Sequence, residues 1–430
     1  MKEKFIKSTL ILLIGGFLTK ILGMIIKIIM SRMIGTEGLG LYMMILPTFS
    51  LFIGISQFGM PIALSKLIAE DTKNNKKLFF SVIPITIFVN LILILLIILF
   101  APVLSTKLLH NPDSYYGILA IALVIPFTSI SSICRSYFFG KEQMLPHVIS
   151  NLLEDIVRLA LMFIGIPFFI EKGIKYAVCF IILSNVISEI ASILILFLFL
   201  PKKVKITKND LRPSKVYMKE SLSIGIPNTT GRLIGSIGYF LEPIILSGVL
   251  LSVGYSNRFI TTEYGILSGY VMPLLLLPSF FTMAISQALL PALSKEYAKG
   301  CKKSVKRKIK QAIFFSLLLG VPVTILFIIF PTFFLKLIYH TEEGATYMRI
   351  LAPLCLFQYI QAPLSSALDA MGKSKDAMIA STLGMIVRTS LLFILSRFKI
   401  GLWGLILAIG INVIIVTLHN IKKVRVALTE

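Results

Sequence analysis

Apolar runs broken by short polar clusters recur along the whole length of the chain. They fall at Phe5–Ile34, Leu41–Ala69, Leu78–Phe100, Tyr115–Phe139, His147–Ile170 and Ile174–Leu200, then at Glu220–Leu250, Thr262–Leu293, Ile309–Phe334, Ala345–Met371, Ala377–Phe398 and Gly401–Asn420. Each is long enough for a helix to cross a bilayer, and the pattern predicts an all-α polytopic membrane protein of about twelve transmembrane helices in two sets of six. Between the sets lies the polar stretch Lys202 to Lys219, which has the composition of a domain boundary. The expected organisation is an N-terminal lobe over 1–200, a cytoplasmic linker over 201–219 and a C-terminal lobe over 220–430. The basic start is like that of a signal peptide, but its apolar run exceeds an h-region of about 7–15 residues and offers no small-residue cleavage site, so it reads as a retained first helix.

Composition changes the solvent, not the pattern. Of 430 residues 56% are hydrophobic and 15% charged, against about 25% charged in soluble domains. With a mean hydropathy of +0.90, the chain needs lipid around much of its surface. The net charge of +23 follows from topology, because most of the 43 Lys and Arg fall in alternate loops, and basic residues are retained on the cytoplasmic side. Both termini are therefore expected in the cytoplasm, beneath the plasma or inner membrane. Loops such as Lys295–Lys310 meet anionic lipid headgroups, and no nucleic-acid partner is needed to explain the charge. The four cysteines and four histidines are scattered, which suggests no disulfide framework, metal centre or cofactor.

The chain repeats itself. Ile55-Ser56-Gln57 with Pro61 recurs 230 positions later as Ile285-Ser286-Gln287 with Pro291, and Ile156-Val157-Arg158 recurs at the same offset as Ile386-Val387-Arg388. The matches fall in corresponding helices, the second and the fifth of each set. A duplicated six-helix unit has an even number of spans, so the copies enter the membrane in the same orientation and are expected to be related by a pseudo-twofold along its normal.

Ionisable residues inside spans are costly, about 2.5–3.5 kcal/mol at mid-depth, and are functional candidates for that reason. Lys20 lies roughly 22 Å along the first helix from Phe5, and Arg232 roughly 18 Å along the seventh from Glu220. Lys27 shares nearly the face of Lys20. These positions put positive charge at matching depth in the first helix of each lobe, an arrangement suited to an anion. Lys27 and Arg32 on the outer side, and Lys66 and Arg135 on the inner, also read as side chains that snorkel to the surface. Glu154 and Arg158 form an i, i+4 pair with Asp155 beside them, and Glu189 is a further partner in reach. Arg388 faces either the cleft or Asp369. Glu242 reads as an interfacial charge or a cation ligand. The turns Gly59-Met60-Pro61 and Gly225-Ile226-Pro227 mark bends where lobes rock or gate.

Several motifs exclude chemistry. The stretch Ala367–Ser374 lacks the first glycine of a phosphate loop and follows a membrane helix rather than a strand, so no nucleotide is expected. No nucleophile elbow, zinc-protease motif or acid/base pair occurs, so the chain is not read as an enzyme; the competing reading from another class is a membrane-embedded enzyme of cell-wall assembly or a non-transporting scaffold for one.

The order of features resembles the stage V sporulation protein B family, a MurJ-like polysaccharide flippase branch of the superfamily of multidrug, oligosaccharidyl-lipid and polysaccharide (MOP) exporters. The residues that carry the likeness are Thr19–Phe49, Phe58–Glu70, Thr262–Gly300 and Asp369–Ala377. The resemblance implies a two-lobed, MATE-like fold that alternates its access. It also implies a cargo: an undecaprenyl-diphosphate-linked saccharide, either the peptidoglycan precursor of the spore wall or another cell-wall unit. Thr19-Lys20-Ile21-Leu22-Gly23 matches the flippases' first-helix pattern S-R-V-L-G, which places Lys20 where they carry a cavity arginine. Two departures stand beside that match. The next first-helix arginine of the flippases falls one residue from Lys27, and their eighth-helix arginine is replaced here by the stretch Leu267-Ser268-Gly269. The drug-exporting branch depends on a first-helix carboxylate, and Phe5–Ile34 has none.

The expected mechanism follows from cargo chemistry. Each sugar hydroxyl or phosphate left unpaired in hydrocarbon costs several kcal/mol, so the headgroup needs a wet cationic site while the tail stays in lipid. Lys20, Lys27, Arg232 and Arg388 are expected to hold the diphosphate, and Gln57, Asn228 and Gln287 to bond the sugars. A coupling cation or the membrane potential supplies the drive. The alternative is a cation-coupled multidrug exporter of the same fold, with Glu242 or Glu189 as its carboxylate.

Overall fold

The computed structural model describes the backbone of residues 2–70, 74–200, 207 and 210–429, and their side chains except at 2–10, 12–13, 231–232 and 288. It divides into two compact units, Met1–Phe240 and Leu241–Glu430, with the division inside one helix. Among the described residues no strand forms. The first unit holds α1 (Lys2–Gln57), α2 (Met60–Ala69), α3 (Asn75–Val103), α4 (Ser114–Gly140), α5 (Met144–Ile170), α6 (Ile174–Leu198) and the first part of α7 (Lys215–Ser252). The second holds the rest of α7, then α8 (Asn257–Gly265), α9 (Met272–Leu275), α10 (Leu277–Ala298), α11 (Lys302–Ile329), α12 (Pro331–Tyr339), α13 (Ala345–Ala370), α14 (Ser374–Leu395) and α15 (Trp403–Thr429).

Among the described residues, ten helical segments are long and apolar enough to cross a membrane, and the expected twelve spans map onto them for local reasons. The segment Ile14–Gln57 has 44 residues. At 1.5 Å per residue that is roughly 66 Å, about twice the hydrocarbon thickness. It is broken at Gly35, whose φ of 68° and ψ of −176° leave the helix, so two spans meet at one glycine. Helix α5 is as long as its neighbours but carries Glu154, Asp155 and Arg158 at mid-length. The expected eighth span is assembled from α8, a π-helical stretch Ile266–Val271, α9 and α10. Pro273 and Pro278 stand in the first turns of α9 and α10, where a missing N–H leaves no bond unmade.

Helix α3 shows what surrounds the bundle. Phe88, Leu91, Leu95 and Leu99 are 58 to 65% exposed, and their spacing of three and four lays them in one continuous apolar stripe. Water does not tolerate such a stripe on a monomer, and hydrocarbon does.

Inside each unit the helices are held by close packing and interhelical hydrogen bonds, because lipid tails are as apolar as leucine. In the first, Leu64 and Leu67 of α2 pack on Leu78 and Val82 of α3 and on Ile133 and Phe138 of α4. Ser129 Oγ donates to Ser56 Oγ at 3.0 Å, and Asn90 Nδ2 to the Ser56 carbonyl at 3.2 Å. In the second, Leu293, Ile309, Leu364 and Val424 form the core, and the Tyr359 hydroxyl donates to the Leu275 carbonyl at 2.6 Å.

The described part of the linker is tied to α3. Asn74 caps that helix by accepting from the amides of Lys76 and Lys77, and its Nδ2 donates to Asp210 at 2.9 Å. The amide and hydroxyl of Thr207 also donate to Asp210, at 3.0 and 2.7 Å, which holds that carboxyl below its usual range.

Candidate functional site

The polar interior of the first unit is a cluster of five ionisable side chains. Arg135 of α4 donates to Glu154 of α5, to Glu189 of α6 at 3.0 Å and to Ser192 Oγ at 2.7 Å. Arg158 donates to Glu154 one turn back on α5 and lies 3.5 Å from Asp155 Oδ1. The side chains are 8 to 20% exposed. Three carboxylates thus face two guanidiniums across three helices. Such a cluster holds only if its hydrogen bonds are nearly complete, since each ion brought out of water costs several kcal/mol.

Arg158 also turns toward a second feature, a cavity of about 170 Å³ lined by Lys27 and Tyr42 of α1, Arg158, and Asn185 of α6 among apolar residues. The second unit has a counterpart of about 310 Å³, lined by Gln358 and Gln361 of α13, Ser381 and Arg388 of α14, and Asn412 of α15. The two cavities use equivalent parts. The arginines are those of the repeated Ile-Val-Arg triplets, and each is joined by an asparagine from the next long helix, Asn185 of α6 beside Arg158 of α5 and Asn412 of α15 beside Arg388 of α14. Gly384 makes room for Asn412, whose Oδ1 would lie 2.3 Å from a Cβ placed there. Among the described residues, neither cavity has an Asp or Glu on its lining.

In the second unit the arginine's acid comes from elsewhere. Arg388 pairs with Glu242 of α7, which is 6% exposed and accepts a further bond from the Tyr264 hydroxyl at 3.3 Å.

Against known proteins, the signature described as polysaccharide biosynthesis protein matches residues 5–297, more than half of the chain. The chain belongs to the polysaccharide biosynthesis protein family. The MatE signature also matches, over residues 268–394. Stage V sporulation protein B of Bacillus subtilis (strain 168) is 37% identical over 98% of this chain and 84% of its own length. Among solved structures, an inward-facing multidrug resistance MATE family transporter of the MOP superfamily matches with a TM-score of 0.74 at 16% identity, covering 96% of this chain and 94% of that one. The lipid II flippase MurJ, in an inward closed conformation, matches with a TM-score of 0.72 at 18% identity, over 96% and 87%. These relatives place the chain among the multi-pass membrane transporters of the MOP superfamily.

The residues singled out in the sequence fall into three groups. Lys27 and Arg388 stand on cavity walls. Lys20, Asn228 and Gln287 are exposed, and Asn228 bonds the carbonyl of Ile224 on its own helix at 2.8 Å. Gln57 donates to Ser132 Oγ of α4 at 2.9 Å. Arg232 lies on α7, but its side chain falls outside the described residues.

Three expectations are corrected. Arg135 does not snorkel, because Glu154 and Glu189 on neighbouring helices claim it. Arg388 pairs with Glu242, not with Asp369. Glu242 is no interfacial charge, being buried against that arginine and Tyr264. The sequence reading passed over Asn185, Gln358, Gln361 and Asn412. Their signal was available, since a carboxamide inside an apolar helix either bonds across helices or faces water. Gln361 does the first, donating to the Val413 carbonyl and to Thr417 Oγ1, both at 3.1 Å.

Proposed function

We propose that this transporter moves an undecaprenyl-diphosphate-linked saccharide, a peptidoglycan precursor or a related cell-wall unit, from the inner to the outer leaflet by alternating access. The observation that carries the reading is the lining of the two cavities: cations and carboxamides, with no carboxylate among the described residues. Such walls suit an anionic, hydroxyl-rich headgroup. Kinship to stage V sporulation protein B and likeness to the lipid II flippase agree with it. In the first unit Lys20, Lys27 and Arg232 contact the diphosphate while Gln57 and Asn228 bond sugars; in the second Arg388 and Gln287 take the corresponding roles. Both termini lie in the cytoplasm, the membrane is the plasma or inner membrane, and residues 201–219 link the lobes. An inside-negative potential favours outward movement of the anion by about 2.3 kcal/mol per charge per 100 mV.

The test is flipping of a fluorescent short-chain lipid-linked saccharide in proteoliposomes. A charge-assisted hydrogen bond contributes about 1.5–3 kcal/mol, so Lys27→Gln is expected to slow flipping by about 10- to 100-fold. Charge reversal of Lys20 and Lys27 together is expected to abolish it, while Lys66→Gln stays near the parent rate. Wild-type flipping by the double reversal overturns the assignment.

A second reading, a cation-coupled multidrug exporter, is favoured by the MatE signature over residues 268–394. It requires Glu189 or Glu242 as coupling carboxylate, and both are engaged by arginines. Drug resistance conferred on a sensitive host, with no effect on lipid-linked saccharides, would decide for it.

A further inference from the structure

Arg388 cannot serve an anionic cargo and Glu242 at once without a change of partners. Its terminal nitrogen is committed to Glu242, while its Nε is buried and makes no hydrogen bond. Asn412 Oδ1, on the wall of the same cavity, is likewise buried and unbonded. A guanidinium binds phosphate through two parallel N–H groups, and a carboxylate competes for the same fork. At rest the pair is neutral. If a phosphate oxygen takes the fork, the positive charge is still matched, but Glu242, 6% exposed, is left as a lone buried anion. That state costs several kcal/mol, and a carboxylate so placed binds a proton instead.

Resting on the reading of a phosphate-bearing cargo, we propose that the cavity of the second unit is an oxyanion site in which the cargo's phosphate displaces Glu242 from Arg388, and that Glu242 takes one proton from water as it is displaced. No redox step or further reactant enters: one ion pair is exchanged for another, and one O–H bond of a hydronium ion breaks, leaving water, as one O–H bond forms on Glu242. The groups around the carboxylate are Arg388 from α14 and the Tyr264 hydroxyl from α8. Across the cavity the other titratable side chain on the wall is Cys355 of α13. Tyr264 keeps a role in both states, because a phenol hydroxyl donates equally to an ionised carboxylate and to the carbonyl oxygen of a neutral one. The pair also joins α14 to α7, so arrival of the anion frees α7 from that tie at the moment the proton binds. Cargo binding and proton uptake are thereby coupled within one unit.

The experiment uses the full chain in detergent and, as probe, a soluble short-chain isoprenyl diphosphate sugar. Its diphosphate is esterified at both ends and so does not itself titrate near neutral pH. Calorimetry in two buffers of different ionisation heat gives the protons taken up per probe bound. The wild type is expected to take up close to one proton at the alkaline end, with affinity falling about tenfold per pH unit as protons become scarce. Glu242→Gln has no competing charge and no site for the proton, so it binds more tightly at alkaline pH, with no proton uptake and no pH slope. Arg388→Gln loses at least tenfold in affinity. The wild-type proton count decides by itself if a variant does not fold. Probe binding without proton uptake, or an unchanged pH slope in Glu242→Gln, overturns the exchange. If the protein still flips lipid-linked saccharide in vesicles, that result leaves the transport reading intact. A protein that neither binds the probe nor flips the lipid overturns both.

Discussion

Gly59→Ala is expected to lower stability by about 3 kcal/mol or more, among the largest effects open to a single methyl group. Two separate penalties meet at this position. Gly59 has φ of 66°, and an L-residue in that region gives up about 1–2 kcal/mol. In addition, a Cβ there would lie 2.2 Å from the carbonyl oxygen and 2.7 Å from the Cα of Gly225. Both obstacles are backbone atoms, so no rotamer change relieves them. The reverse view is the same, with a Cβ on Gly225 falling 2.8 Å from the Phe58 carbonyl oxygen. The break between α1 and α2 therefore seats backbone to backbone on α7, and the two Gly-x-Pro turns read from the sequence as bends are partners in one contact. Thermal unfolding in detergent, followed by a thiol dye that reaches buried Cys134 and Cys355 only as the fold opens, measures the loss. Two controls separate the penalties. Gly254→Ala, at φ 101° with nothing within 4 Å, isolates the backbone cost and should lose about 1–2 kcal/mol. Gly54→Ala is helical and also open, and should gain about 0.5–1 kcal/mol. Equal losses at Gly59 and Gly254 would show that the contact with Gly225 carries nothing.

How much of this was legible in the sequence depends on the range of the interaction. Spans are set by local hydropathy, and α4, α6 and α13 end within two residues of the expected bounds. The repeat was legible as well. It matches Arg158 with Arg388, and each stands on the cavity wall of its own unit. Partner choice was not legible. Arg135 lies five residues before the end of α4, and depth alone lets so long a side chain reach the surface. Only the packing of α4 with α5 and α6 brings Glu154 and Glu189 to it. For Arg388 the sequence offered Asp369, near in the chain, yet the bundle supplies Glu242 from 146 positions upstream. The interval between the first two apolar runs, which holds Gly35, Gly38 and Gly40, gives no sign of how short the break between the spans is. The helix resumes at once because only Gly35 takes the positive φ.

Arg135→Met should cost about 3–5 kcal/mol, the loss that follows when one member of a buried ion network is removed and its partners are left charged. Arg135 of α4 bonds Glu154 of α5 and both Glu189 and Ser192 of α6, so one cation joins three helices. Without it, Arg158 alone faces three carboxylates. Glu189→Gln has the opposite sign of effect on the charge count: it equalises carboxylates and guanidiniums and keeps a hydrogen-bonding oxygen for Arg135, so it should change stability by less than about 1 kcal/mol. The Arg135→Met/Glu189→Gln double variant is therefore expected to recover about 1–3 kcal/mol relative to the sum of the singles, because the second change removes a charge that the first had stranded. The thiol-dye unfolding measurement reads all three variants. Arg135→Met unfolding no earlier than a substitution of exposed Lys66 would show that the cluster is solvated, and the three-helix network would not hold this unit together. Strict additivity of the double variant would show that Arg135 and Glu189 do not sense one another, and the cluster would reduce to the helical pair of Glu154 and Arg158.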